Sequence, residues 1–241
     1  MTQFFRDFQS DTEGVLPAGF AEQGSDGNFE VKDWADGNGK VLAFRFTIGL
    51  SDRFIWWTGA AGPGSILNGD ILVKVYQRAS AFNDTGLDAG FALCRIPNPP
   101  SSISSNQMVG TAVPNPTTLR INRTRGYNSY ATSSIAFTHS TNYYVRFNFN
   151  GTAYKAKFWE SGDTEPAAWD IETTASSDQD PGYVGAQVYK GYEMNWHWFS
   201  VSDDPAVAAD NPDVASGPET PINPSITNLL ATSARLNWEQ G

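Results

Sequence analysis

The feature of this chain that most restricts its fold is a short-range alternation of apolar and polar side chains. It recurs in six segments, residues 29–33, 41–46, 71–77, 119–123, 143–149 and 153–159. A period of two places neighbouring side chains on opposite faces of a β-strand. No window keeps the 3.6-residue period of an amphipathic helix, because Gly, Pro or paired polar residues interrupt each one. The pattern therefore predicts about a dozen half-buried strands and only rare, short helices.

Turn residues separate these segments. The chain has 22 Gly and 14 Pro, and only 17% of its residues are charged. Asn150-Gly151 is the clearest hairpin signal, since Gly and Asn accept the positive φ of a tight turn, and it joins residues 145–149 to 153–159. A chain of 241 residues is long enough for one large core. The predicted fold class is all-β, a two-sheet antiparallel sandwich of jelly-roll type.

The composition changes after residue 201, which predicts the domain organisation. Residues 1–201 form the predicted jelly-roll domain, and residues 202–218, rich in Pro, Asp and Ala, form a linker. Residues 219–241 alternate again and resemble the first strands of a fibronectin type III domain, with Trp238 at the core tryptophan. Two strands cannot bury a sandwich core alone. This β extension is therefore truncated, completed by another chain, or loosely ordered.

Several motifs carry a family resemblance. They are the strand pair 143–159 that ends in Lys157-x-Trp159, the turn at Gly162, the Glu-Pro-x-x-Trp step at 165–169, the glycine-rich segment 181–185 and the closing segment 194–201. Together with the Phe-rich start at residues 5–8, they resemble concanavalin-like and laminin-G-like jelly rolls over residues 3–202. The resemblance implies that the first strand lies beside the last.

A jelly roll followed by a fibronectin-like segment is similar to modular bacteriophage virion proteins, that is, tail fibres, tail tips and capsid appendages. The N-terminus lacks a basic start followed by a long apolar run, so no secretory signal is expected, and the predicted location is the virion after synthesis in the host cytoplasm. The resemblance implies a non-catalytic surface protein with other virion proteins and host cell-surface glycan as partners, and a homo-oligomer as a further option. The alternatives are a carbohydrate-binding or glycan-active module of a bacterial protein, and a purely structural connector.

Charge and cysteine content exclude several classes of partner. The formal net charge of −10 disfavours a hold on phosphate backbones, so no nucleic acid is expected. No segment approaches the roughly 18 apolar residues that a membrane span needs. The single cysteine, Cys94, lies in a predicted strand and has no partner for an intrachain disulfide.

The sequence contains no recognisable set of catalytic residues. A retaining glycosidase of this fold needs two close carboxylates, typically within Glu-x-Asp-x-x-Glu. The nearest approach is Asp170 and Glu172, which lack the third acid, so a solvated strand face is the favoured interpretation. The two histidines, His139 and His197, have no metal-ligand spacing. The sequence therefore predicts that this chain is not an enzyme.

Calcium is the one cofactor that the sequence suggests. Asp33, Asp36 and Asn38 offer hard oxygen ligands within one short segment, although the same residues also suit an ordinary hairpin turn. The family resemblance implies a second option, a calcium ion where the first and last strands meet, which would recruit Asp7 or Asp203.

Aromatic residues are the strongest binding signal, because sugars stack their C–H faces on Trp and Tyr rings. The glycan-binding candidates are Trp34, Trp57, Tyr127 and Tyr130, and Trp56 and Tyr192 share their character. Trp56 and Trp57 are adjacent, so strand alternation predicts that at most one of them lies in the core. The competing interpretation is that most of the eight tryptophans fill a large sandwich core.

Overall fold

A computed structural model describes residues 1–22, 29–34, 39–44, 53–59, 61–77, 89–96, 109–115, 118–123, 129–138, 140–174, 181–188 and 194–214. These residues form fifteen strands and no helix. None of them builds an apolar helix long enough to cross a membrane. The predicted all-β class is confirmed.

The strands are, in chain order, β1 (Gln3–Asp7), β2 (Phe20–Glu22), β3 (Phe29–Trp34), β4 (Gly39–Phe44), β5 (Arg53–Trp57), β6 (Gly69–Gln77), β7 (Ala89–Ile96), β8 (Val109–Asn115), β9 (Thr118–Arg123), β10 (Ser129–Ser134), β11 (Asn142–Asn150), β12 (Ala153–Glu160), β13 (Ile171–Thr174), β14 (Tyr183–Val188) and β15 (Met194–Ser202). Sheet A has the order β13-β12-β11-β6-β15-β4-β3, with β1 added to β15. Sheet B has the order β10-β9-β8-β7-β14-β5-β2. All strand pairs are antiparallel.

The last strand, β15, organises the middle of sheet A. One edge pairs with β6 along its whole length, with a register shift between Trp196 and Trp198. Its other edge pairs with β4 at Asn195 and Trp196 and with β1 from Trp198 to Ser202. The first strand thus lies beside the last, as the family resemblance implied.

The core forms between the two sheets from alternate residues of each strand. On β11, Tyr143, Val145, Phe147 and Phe149 are each at most 4% exposed. Burying each such side chain stabilises the fold by about 1.5–3 kcal/mol. The hairpin between β11 and β12 pairs Asn150 with Ala153, and Gly151 takes a φ of 58° in the turn. The predicted hairpin is therefore confirmed.

The first compact unit of the chain extends from Met1 to Asp210, and the second from Asn211 to Gly241. The predicted domain boundary at residue 201 therefore lies inside the first unit. Residues 205–209 pack on sheet A, where Ala209 is 1% exposed and Asn148 Nδ2 donates to Pro205 O at 2.8 Å. The predicted fibronectin-like segment, residues 219–241, lies outside the described residues and stays a prediction.

Candidate functional site

The outer face of sheet A, which points away from the core, carries a row of directly paired residues across five neighbouring strands. This row, named here the amide row, consists of Glu30, Ala43, Asn195, Tyr76 and Asn142. Each of them has at least one chain neighbour in the core, so alternation places all five on the outer face.

Two aromatic rings meet over this part of the face. The ring centroids of Trp34 and Tyr76 are 5.5 Å apart with an interplanar angle of 60°, and both side chains are half-buried. Strands β4 and β15 lie between β3 and β6 in the sheet, so the ring pair spans the outer face of these two strands. Lys32 Nζ lies 5.4 Å from the Trp34 ring centroid. The pair is held in place while part of its surface stays accessible.

Asn195 is the unusual member of the amide row. Asn195 is 0% exposed, and neither its Nδ2 nor its Oδ1 has a hydrogen-bond partner in the part of the chain that the structure describes. A buried polar group left without a partner costs roughly 1–3 kcal/mol. Such groups are few in native proteins and point to a bound molecule, a bound water or a functional role.

The surroundings of Asn195 combine small apolar and polar side chains. On the adjacent strand, the outer-face residues Val41 and Ala43 are 0% and 2% exposed. His197 Nε2 lies 2.8 Å from Asn142 Oδ1, which fixes the imidazole beside the row. The site therefore offers an amide, a small apolar floor and two aromatic rings.

A second part of the same face is closed by the residues that follow β15. This part, named here the sealed region, consists of Asp70, Arg146 and Asn148 beneath residues 205–209. Asp70 forms an ion pair with Arg146, and its Oδ1 accepts the Ala209 N–H at 2.9 Å. Asn148 Nδ2 donates to Asp70 Oδ2 at 3.0 Å. Burial raises the pKa of the Asp70 carboxyl above its ordinary value, although the charge of Arg146 and the N–H donors oppose this shift.

The Glu-Pro-x-x-Trp step at residues 165–169, one of the motifs that carried the family resemblance, surrounds the ammonium group of Lys157. Lys157 Nζ lies 2.6 Å from Glu165 Oε1, donates to Pro166 O at 2.8 Å and lies 4.7 Å from the Trp169 ring centroid. Arg146 Nε lies 2.8 Å from the same Glu165 oxygen. Burial raises the pKa of Glu165, but the hydrogen bond from Lys157 and the charge of Arg146 outweigh burial, so the pKa is lowered from 4.5. The motif thus has a structural role at the border of the sealed region.

Comparisons with known proteins bear on the fold. No protein-family model matches the chain, and no curated protein sequence matches it either. Among solved structures, it is similar to the carbohydrate binding module CBM66 from Bacillus subtilis, with 14% identity, a TM-score of 0.51 and coverage of 76% of this chain and 96% of that one. It is also similar to lectin II from Ulex europaeus, with 13% identity, a TM-score of 0.54 and coverage of 83% and 97%.

A third similar structure is a prokaryotic β-1,3-1,4-glucanase (lichenase) derived from a mouse hindgut metagenome, with 12% identity, a TM-score of 0.53 and coverage of 85% of this chain and 100% of that one. The fold is a concanavalin-like jelly roll. At these identities, the likeness shows the fold alone. The jelly roll predicted from the sequence is confirmed.

The jelly roll places the predicted glycan-binding residues in different environments. Trp34 is half-buried in the ring pair on the outer face of sheet A. Tyr130 is half-buried and packs against the core, where its ring stacks on Tyr154 with centroids 6.0 Å apart. Tyr127 and Tyr192 lie outside the described residues.

Trp57 requires a correction. It is 2% exposed and stacks on Phe20 with ring centroids 5.9 Å apart, so its ring belongs to the core of the jelly roll and offers no face to a ligand. Trp56 points to the opposite face, where it forms a separate cluster with Phe54. Only one of the two tryptophans lies in the core between the sheets, as alternation predicted. Alternation alone does not say which face becomes the core.

The acidic residues that were candidates for calcium do not converge where the structure describes them. Asp33 is exposed on β3, while Asp36 and Asn38 lie outside the described residues. Asp7 pairs with Trp198 at one end of β1, and Asp203 Oδ1 accepts the Thr2 N–H at 2.6 Å near the other end. The described residues contain no group of three His, Cys, Asp or Glu side chains suited to a metal ion. Calcium at residues 33–38 stays a prediction.

Asp170 and Glu172, the acids nearest to a catalytic spacing, have separate roles at the edge of the jelly roll. Asp170 Oδ2 accepts the Phe158 N–H at 2.8 Å. Glu172 Oε2 lies 2.7 Å from Lys155 Nζ, and its side chain is 55% exposed. These contacts fasten the edge strand β13 and its approach to β12.

The sequence did not single out Asn195 or Tyr76. Tyr76 lies in an alternating segment that indicated an ordinary strand, and Asn195 lies in the closing segment that carried the family resemblance. Their proximity to Trp34 depends on the strand order β6-β15-β4-β3, which no local pattern encodes. Asn195 itself stands out in the sequence only as a polar residue between Met194 and Trp196.

Proposed function

We propose that this chain is a non-catalytic carbohydrate-binding module whose ligand stacks on the Trp34–Tyr76 ring pair. The observation that carries the proposal is a half-buried aromatic pair beside a buried amide on the outer face of sheet A. Aromatic rings attract the C–H faces of sugars, and nearby amides bond their hydroxyl groups. The solved structures that share the fold include a lectin and a carbohydrate binding module, which supports this function.

The ring pair is suited to this task because it is already ordered. Trp34 contacts Tyr76 and lies close to Lys32 Nζ, so binding does not need to order the Trp34 ring. Preorganised contact groups reduce the entropic cost of association.

The absence of catalysis is part of the proposal. The fold also occurs in a lichenase, so the fold does not decide this question. Support comes from Asp170 and Glu172, which hold a backbone N–H and a lysine at an edge strand. We propose that sugar is bound and released unchanged.

A bacteriophage virion setting, with other virion proteins and a homo-oligomeric state, remains a prediction from the sequence. A bacterial carbohydrate-binding protein is the better supported setting, because the solved structures of this fold include a binding module from Bacillus subtilis. A glycan ligand is common to both settings, and a host glycan belongs to the virion setting alone.

The test is a glycan array probed with the full chain, with Trp34→Ala and with Trp169→Ala. Trp169 is a matched control, because it is also half-buried, also lies near a lysine and is located in the segment between β12 and β13, away from the ring pair. We expect Trp34→Ala to lose about tenfold in affinity, since a specific ring contact contributes about 0.5–1.5 kcal/mol beyond area burial and about 1.4 kcal/mol corresponds to tenfold. Trp169→Ala should bind like the wild type.

Three outcomes contradict the proposal. They are silence of the wild type across the array, equal loss in both variants, and release of reducing ends from any polysaccharide that the chain binds. The last outcome overturns only the non-catalytic part.

A further inference from the structure

We infer that the sugar recognised by this site bears an acetamido group and that Asn195 is the residue that reads it. This inference rests on the proposed function and names its ligand class. It starts from the buried carboxamide of Asn195, whose donor and acceptor both lack partners among the described residues.

The hydrogen-bonding pattern of the amide is the first step. A carboxamide presents an N–H donor beside a carbonyl acceptor. An acetamido group presents the complementary pair, with its own carbonyl accepting from Asn195 Nδ2 and its N–H donating to Asn195 Oδ1. Two neighbouring sugar hydroxyls satisfy the same two atoms, so this step alone does not separate the two ligands.

The apolar floor beside Asn195 separates them. Ala43 pairs directly with Asn195 across β4 and β15, and Val41 lies on the same outer face of β4. Both are small, apolar and at most 2% exposed. The methyl group of an acetamido substituent gains by contact with such a floor, whereas a hydroxyl loses its water there without a partner.

Charge does not select the sugar further, because groups of both signs lie near the site. Glu30 lies at the end of the amide row, one strand beyond Ala43, and is 6% exposed, while Lys32 Nζ lies 5.4 Å from the Trp34 ring centroid. The ligand class that fits is therefore an N-acetylated sugar.

Access to Asn195 depends on the ring pair. Trp34 and Tyr76 span the outer face of β4 and β15, so their rings lie over the strands that carry the floor and the amide. Asn195 and the floor are at most 2% exposed, so the inference requires Tyr76, which pairs directly with Asn195, to rotate to another rotamer while Trp34 keeps its position. A ligand that satisfies the amide stabilises this open arrangement by its differential affinity for it.

The experiment compares sugars that differ only at the acetamido position. The full chain is titrated with matched oligosaccharides, N-acetylglucosamine against glucose trimers and N-acetylgalactosamine against galactose trimers. We expect at least one acetylated member to bind ten or more times tighter than its partner. Asn195→Leu should abolish this preference, and Asn195→Asp should weaken it, because a carboxylate cannot donate to the acetamido carbonyl.

A second readout uses the wild type alone. The side-chain ¹⁵N–¹H resonances of Asn195 should shift when the acetylated sugar binds and stay unmoved with its hydroxyl partner. This readout does not depend on whether an Asn195 variant folds.

The outcomes separate the two proposals. Equal affinity within every matched pair, or unchanged Asn195 resonances, overturns the acetamido inference, while loss of binding in Trp34→Ala still supports carbohydrate binding. Tighter binding to the hydroxyl members also overturns the inference. Silence of the wild type with every oligosaccharide and across the glycan array overturns both.

Discussion

The sealed region and the amide row lie on the same face of sheet A, but they differ in whether their buried polar side chains have hydrogen-bond partners. In the sealed region, Asp70 has Arg146, Asn148 and the Ala209 N–H as partners. In the amide row, Asn195 is equally buried and has no hydrogen-bond partner among the residues that the structure describes. The partners of the sealed region come from within the chain, and those of Asn195 must come from outside its described part.

This difference assigns the two regions of the outer face of sheet A different roles, stability for the sealed region and ligand binding for the amide row. A buried charge pair is costly to desolvate and becomes tolerable only when its partners are complete. An incomplete site lowers stability, but a ligand that completes it regains that free energy as affinity. Native proteins tend to break local rules of polar satisfaction at functional sites.

The largest expected effect comes from removing the cation of the sealed region. We expect Arg146→Met to lower the free energy of unfolding by about 3–5 kcal/mol at pH 7, because Asp70 is left as a buried charge without its counterion. Urea denaturation of the full chain measures this loss.

The matched control is Lys155→Met on the neighbouring strand β12. Its pair with Glu172 is exposed by 40% and 55%, and such pairs contribute only about 0–1 kcal/mol. Equal losses in the two variants would show that the sealed region is no more dependent on its ion pair than the surface is.

A smaller change in the free energy of unfolding, with different directions at Asn148 and Asn195, compares the two regions directly. We expect Asn148→Leu to lower the free energy of unfolding by about 1–3 kcal/mol, because Asp70 and Pro205 O lose a donor. Asn195→Leu should leave stability unchanged or raise it by about 1 kcal/mol, since it removes a buried polar group without a partner in the described structure. Urea denaturation at pH 7 applies to both, and a similar loss in each would mean that Asn195 is satisfied in solution by water.

Local features of this fold could be predicted from the sequence. The hairpin at Asn150-Gly151 follows from turn chemistry and two alternating segments, and the structure contains it. The pairing of β1 with β15 could be expected only through the family resemblance, because the partners Gln3 and Ser202 are far apart in the chain. Alternation also placed Trp56 and Trp57 on opposite faces. It could not show that Trp57 faces inward, since that depends on the second sheet.

Contacts made by backbone groups could not be predicted from the sequence. Residues 202–210 have the composition of a linker, yet the Ala209 N–H donates to Asp70 and the Pro205 carbonyl accepts from Asn148. These are backbone groups: every residue has the carbonyl and every residue except proline has the N–H, so the sequence does not mark them. The amide row was hidden for another reason. It joins residues from five strands, and only the strand order of sheet A brings Asn195 beside Tyr76.

The smallest effect concerns Glu165, at the border of the sealed region. Its pKa is lowered from 4.5 in the folded chain, so its ionised form stabilises the fold above that pH, and this stabilisation is lost as pH falls through the folded pKa. A third of its side chain is exposed. We therefore expect Glu165→Gln to lower the free energy of unfolding at pH 7 by no more than about 1 kcal/mol.

The pH dependence of this variant tests whether the two regions act separately. Denaturation in urea at several pH values should show the wild type and Glu165→Gln converging as the pH falls below the folded pKa of Glu165, because the wild-type carboxyl is then neutral as well. Sugar affinity at pH 7 should be equal in the two proteins, since Glu165 contacts Lys157 and Arg146 and belongs to the sealed side of the face. A difference in stability that persists at low pH would assign the effect to packing of the side chain. Reduced sugar affinity would instead show that the sealed region holds the amide row in shape, and the division between the two would no longer stand.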